Sequence, residues 1–139
     1  MELSVVEAVL HSLRPNSDQV DSKVATRNGA AYLHLRQTAK PDRWAVIWSP
    51  GDRWFALDVD GGFSLNHFEE EMADDDAQRL LEKYVAIGMT YILGDSIPTS
   101  AGRFRPHVLR VVTEDGDIEL IQSVGAALKE AMGLRRRRP

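Results

Sequence analysis

An α+β fold, with an antiparallel sheet packed against helices, follows from three features of this 139-residue sequence. Asn28-Gly29 stands between two short runs, the strongest local signal for a two-residue hairpin. The stretch from 43 to 68 puts like faces opposite each other when folded about SPGD (49–52) and Asp60-Gly61-Gly62. From Asp74 the period becomes helical, with Ala77, Leu80, Leu81, Tyr84, Gly88, Tyr91 and Ile92 on one stripe. The predicted architecture is an antiparallel β-meander of four to six strands with an N-terminal helix, a long central helix packed on the sheet, and a C-terminal helix.

Each element has a local reason. Leu3, Val6, Val9, Leu10 and Leu13 recur at helical spacing until Pro15 ends the pattern. Strands near 23–27 and 30–37 flank the Asn-Gly turn. With SPGD as a four-residue loop, Trp48 faces Arg53, Val46 faces Phe55 and Trp44 faces Leu57. With Asp60-Gly61-Gly62 as the next loop, Val59 faces Phe63 and Leu57 faces Leu65. One core face then carries Trp44, Val46, Phe55, Leu57 and Leu65, while the other pairs Arg43 with Asp58 and Ala56 with Asn66. The central helix spans 74–93 and Gly94 stops it. Residues 107–113 read as another strand. Residues 117–123 suit either strand or helix, with a helix favoured for 121–132. Residues 1–134 are expected to form a single globular domain and 135–139 a basic, disordered tail.

Composition bounds the function. Hydrophobic residues at 43% and charged residues at 27% are globular values. The absence of cysteine excludes thiolate metal sites, disulfides and cysteine nucleophiles. Glu2 and Glu7 argue against a secretory signal, and the longest apolar run, 84–93, is about half a membrane span. A cytoplasmic protein without membrane contact is expected. Net charge is −4, but setting aside the four arginines of the tail leaves 13 basic against 21 acidic side chains, a net of −8. Such a body disfavours nucleic acid and favours a basic protein partner or none.

No motif names a reaction, and a non-enzyme without cofactor, metal or catalytic residues is expected. Gly94-Asp95-Ser96 is similar to the nucleophile block of GDSL-type esterases, but only His107 follows Ser96 and no Asp-x-x-His pair activates it. Asp58, Asp60 and Glu69 imitate ligands of an EF-hand loop, yet Gly62 and Phe63 stand where that loop needs an oxygen ligand and a glycine. His11, His34, His67 and His107 lack metal-ligand spacing. Arg135 to Arg138 form a solvated run with no interleaved aromatic residue.

FEEEMADDD (68–76) concentrates six carboxylates. Asp74, Asp75 and Asp76 fall in the first turn of the central helix, where the macrodipole favours negative charge. Glu69, Glu70 and Glu71 receive no such explanation, and a local negative field would steer a cationic partner. Trp54 is expected on the face away from the core, beside Ile47 and near Phe68. These nine residues are the candidate partner-binding surface.

DRWFALDVDGGFSLNHFEEE followed by DDDAQRLLEKYV resembles the small α+β immunity proteins encoded beside bacterial polymorphic toxins, which carry a tryptophan and a glycine seven residues apart before an acid-initiated helix. Trp54 and Gly61 occupy those places over a match of about 40 residues. The resemblance implies a stoichiometric inhibitor that covers the active site of a toxin or effector. The order of elements is also similar to the secretion-chaperone and YbjN-like fold, which implies a peptide-binding homodimer, although five strands before the second helix exceed that pattern. An uncharacterised enzyme is the third class.

Overall fold

The computed structural model describes residues 1–94, 96–99, 108–114 and 116–122. Its elements run α1 (Leu3–Ser12), β1 (Val20–Arg27), β2 (Ala30–Gln37), β3 (Trp44–Gly51), β4 (Trp54–Val59), β5 (Phe63–Phe68), α2 (Asp74–Leu93), β6 (Ser96–Thr99), β7 (Val108–Thr113) and β8 (Gly116–Gln122). The strands form one antiparallel sheet in the order β1-β2-β3-β4-β5-β8-β7-β6. Five consecutive strands make a meander, α2 then crosses the sheet, and a second meander of three returns to pair β8 with β5.

The eight-stranded sheet exceeds the expected four to six. The difference lies beyond α2, where Leu109, Val111 and Leu120 supply the alternation of a half-buried sheet and are themselves buried. Residues 121 and 122 belong to β8 rather than to a helix, because Gln122 pairs with Phe63 and Ile121 with Ser64. The remainder of the expected C-terminal helix, 123–132, and the tail 135–139 lie outside the described residues.

Turn chemistry fixes the hairpins. Asn28 and Gly29 both adopt positive φ, 52° and 77°, the conformation a two-residue turn between twisted strands demands. The β4–β5 hairpin has the expected register, with Val59 opposite Phe63, Leu57 opposite Leu65 and Ala56 opposite Asn66.

The β3–β4 hairpin does not. Ile47 faces Leu57 and Trp48 faces Ala56, and only Asp52 and Arg53 separate the strands, so the four-residue SPGD loop is overturned. The chain stays extended through Pro50 and shifts register between Trp48 and Gly51. Ser49 stabilises this bulge, since its buried hydroxyl donates to the Trp54 carbonyl at 2.6 Å and accepts from the Gly51 N–H at 3.0 Å. Gly51 has φ +87°, and a Cβ there would stand 3.0 Å from the backbone nitrogen of Leu3.

Changing the register by an odd number of residues exchanges the faces. Ala45, Ile47, Phe55, Leu57 and Val59 look toward the helices and are buried, whereas Trp44, Val46 and Trp48 lie half-buried on the other side. The placement of Trp44 and Val46 in the core is therefore corrected, while that of Phe55, Leu57 and Leu65 stands. Close approach of α2 explains the exchange. Gly88 sits so near the sheet that a Cβ would be 3.3 Å from the Ala45 Cβ and 3.4 Å from Ile47, leaving no room for an indole.

Both helices pack on this one face, α1 over β1 to β3 and α2 over β2, β3, β4 and β7. The expected Arg43–Asp58 pair is absent, because Arg43 turns to α2. Its guanidinium donates to the Tyr91 carbonyl at 3.0 and 2.6 Å and to that of Gly94 at 2.9 Å, while Gln37 donates to the Ile92 carbonyl at 2.7 Å. Gln37 of β2 and Arg43 of the β2–β3 connection thus satisfy carbonyls that a helix C-terminus leaves unpaired. No described helix is long and apolar enough to cross a membrane.

Candidate functional site

Among the described residues, the face opposite the helices bears no covering element, and its side chains follow from strand alternation. On β2 they are Ala30, Tyr32, His34 and Arg36; on β3, Trp44, Val46 and Trp48; on β4, Trp54, Ala56 and Asp58; on β5, Ser64, Asn66 and Phe68.

Aromatic rings cross this face from strand to strand. His34 stacks on Tyr32 at 5.8 Å, Tyr32 on Trp48 at 5.9 Å, and Trp48 meets Trp54 at 5.6 Å with a 52° tilt. Trp54 lies opposite Phe68 on β5. Rings at such spacings contribute about 0.5–1.5 kcal/mol per pair beyond their buried area. They also roof Ala56, which points outward yet is wholly inaccessible. The Trp48 indole N–H donates to the Asp58 carboxylate at 2.9 Å. Burial raises the Asp58 pKa above its ordinary value, and that hydrogen bond is the smaller, opposing influence.

Exposure grows along the row. Trp54 is 44% and Phe68 68% accessible, large values for apolar rings placed side by side. The structure places the third member of the expected cluster elsewhere, since Ile47 is fully buried beneath α2. The error follows directly from the β3–β4 register. Trp48 stands beside Trp54 instead.

The acidic stretch begins where this row ends. Glu69 extends the β4–β5 ladder by donating its N–H to the Arg53 carbonyl at 3.1 Å, and Glu70, Glu71 and then Asp74 to Asp76 follow, all exposed. Several already have cationic neighbours. Glu70 is 3.4 Å from Arg53, Asp76 is 3.0 Å from Arg79, and Asp74 is 3.3 Å from the α-amino group of Met1. Glu69 approaches His67 at 4.0 Å. Glu71 and Asp75 have no ion pair among the described residues, so the ridge keeps a negative balance that Arg53 and Arg79 reduce.

Backbone geometry marks the same corner. Beyond Ser64, β5 has no strand on its outer flank among the described residues, because β8 pairs only with Phe63 and Ser64. An unpaired edge there can accept hydrogen bonds from another chain.

Tyr32, Trp48 and His34 were missed as members of this face. Their signal is present in the alternation of β2: once Ala31, Leu33 and Leu35 define the core side, 32, 34 and 36 must face outward.

The two other motifs weighed in the sequence fare unevenly. Asp58 and Asp60 belong to the β4–β5 hairpin, where Asp60 accepts the Trp44 N–H at 2.9 Å, and no group of side chains suited to a metal occurs among the described residues. The backbone of Ser96 lies in β6, while its side chain and His107 lie outside the described residues. No protein-family profile, curated protein or solved structure matches the chain.

Proposed function

We propose that this protein is a non-catalytic, stoichiometric protein-binding module of the immunity-inhibitor type, and that its partner is a basic toxin or effector. The observation that carries this reading is the side-by-side exposure of Trp54 and Phe68 at the point where β4 and β5 run into the carboxylates 69–76. Exposed aromatic anchors supply contact area at low entropic cost, and surrounding charge of one sign selects a partner of the other. The net of −8 over residues 1–134 points the same way. The five strands before α2 count against the secretion-chaperone alternative.

The test begins with affinity capture from the native cell and continues with purified components. Trp54→Ala and Phe68→Ala should each weaken the complex by about 2 kcal/mol, roughly thirtyfold; Phe68→Ala should change folding little, whereas Trp54→Ala also loses the ring contact with Trp48, about 0.5–1.5 kcal/mol. Glu69→Gln, Glu70→Gln and Glu71→Gln together should slow association at low salt and flatten its salt dependence. A partner whose affinity and association rate are untouched by all of these substitutions binds elsewhere.

A further inference from the structure

The open face has a second feature at the opposite end of β3 from Trp54. Strands β1, β2 and β3 enclose an open concavity of about 490 Å³, within the size range of small-molecule sites. Its walls carry Lys23 and Arg27 from β1 and Arg36 from β2, and Trp44 and Val46 of β3 supply an apolar surface. His34 sits in the middle, opposite Lys23 on one side and Val46 on the other.

The cations stand out against the rest of the molecule. All three line one hollow in a body whose net charge is −8 over residues 1–134. Among the described residues none of the three has a carboxylate within ion-pairing distance, although Asp21 lies in the same lining, opposite Arg36 in register. Arg27 rests over the Tyr32 ring at 5.1 Å, which orients its guanidinium without neutralising it. Like charges gathered without counterions oppose folding. His34 registers the consequence: burial lowers its pKa, and Arg27, Lys23 and Arg36 lower it further.

We infer that this hollow binds a small phosphate monoester carried on a flat ring. Arg36 and Lys23, in neighbouring rows of this face across the β1–β2 ladder, receive the dianion, the guanidinium fork matching phosphate oxygens bidentately and the ammonium acting as a point charge, while Arg27, over Tyr32 farther along β1, adds its charge to the field of the hollow. The ring lies along Trp44 and Val46. Three cations against Asp21 leave two positive charges, which a doubly charged phosphate balances. A single carboxylate would leave one of them unmet. The site shares no residue with the Trp54–Phe68 corner and stands or falls independently of the proposed partner.

Titration calorimetry of the full chain with AMP at about pH 8, where the phosphate is dianionic, tests the inference. AMP should bind saturably, adenosine should not, and inorganic phosphate should bind at least about tenfold more weakly for want of the ring. Arg36→Gln and Lys23→Gln should each lose roughly tenfold in affinity while melting as the wild type does, because both side chains are exposed and unpaired. His34 provides a readout at the site itself. A bound dianion offsets the field of Lys23, Arg27 and Arg36, so the imidazole, followed by NMR, should titrate at higher pH with AMP than without. Absence of AMP binding, adenosine binding as tight as that of AMP, affinity unaltered in both variants, or an unmoved His34 titration would each overturn the assignment.

Discussion

Arg43 holds Tyr91 twice: its Nε and Nη2 donate to the Tyr91 carbonyl at 3.0 and 2.6 Å, and its guanidinium lies 4.7 Å over the ring of the same residue. A side chain at the end of the β2–β3 connection thus fixes the far end of a 20-residue helix. Arg43→Met should destabilise the protein by about 2–3 kcal/mol, since it leaves the carbonyls of Tyr91 and Gly94 without this donor. Arg43→Lys keeps the charge and loses the planar fork, so roughly half that loss is expected. Urea unfolding of the two variants decides whether geometry or charge matters.

Gly88 sets the distance between α2 and the sheet. Alanine there gains about 1 kcal/mol of helix propensity but presses on Ala45 at 3.3 Å, and the two effects should leave Gly88→Ala within about 1 kcal/mol of wild type. Gly88→Leu has no such offset. It should cost about 3 kcal/mol or more, and a Tm near that of the wild type would show the helix free to lift.

Asp58 yields a pH-dependent expectation. Burial raises its pKa in the folded protein above the ordinary 3.8, so the folded state binds this proton more tightly than the unfolded chain does. Stability from this group therefore falls as pH rises from 3.8 through the folded-state value, and at neutral pH the ionised carboxylate is a burden. Asp58→Asn preserves an acceptor for the Trp48 N–H and should raise Tm at pH 7 by about 1–4 °C. The gain should vanish near pH 3, where the wild-type carboxyl is itself protonated. A larger gain in acid would contradict this.

The two halves of the acidic ridge should part on mutation. Asp74, Asp75 and Asp76 occupy the first turn of α2, and neutralising them to asparagine should cost roughly 0.3–1 kcal/mol each through the helix macrodipole. Glu69, Glu70 and Glu71 precede the helix and are exposed, so the glutamine triple variant should melt within a degree or two of the wild type. Thermal melts at low salt make the comparison. Equal losses from both sets would mean that the glutamates also support the fold.

Local chemistry made much of the fold legible. The Asn28-Gly29 turn, the β4–β5 register and both ends of α2 could be placed from turn residues and periodicity. What failed was β3, which is apolar on both sides: Trp44, Val46 and Trp48 outweigh Ala45, Ile47 and Ser49 in any count of hydrophobic size. The bulkier set faces outward because α2 leaves space for only small groups at Ala45, a constraint that belongs to the packed pair and to neither segment alone. Ser49, whose hydroxyl secures the bulge, looks in sequence like an ordinary loop residue. The same slip removed Ile47 from the candidate surface and hid Trp48, whereas Trp54 and Phe68 kept their place because the β4–β5 hairpin was registered correctly.

Among the described residues, the junction between β5 and β8 is the shortest seam of the sheet. Two residue pairs join these strands among the described residues, whereas every other neighbouring pair of strands shares at least four. The buried Gln122 side chain bolts the junction by donating to the Gly61 carbonyl at 3.1 Å. So short a seam leaves few hydrogen bonds between the two meanders, which are otherwise joined through the packing of α2 on β7, and sub-global opening follows such seams. Amide protons of β7 and β8 should exchange with deuterium as a group, sooner than those of β2 and β3, and Gln122→Ala should widen that gap while leaving β2–β3 protection nearly unchanged.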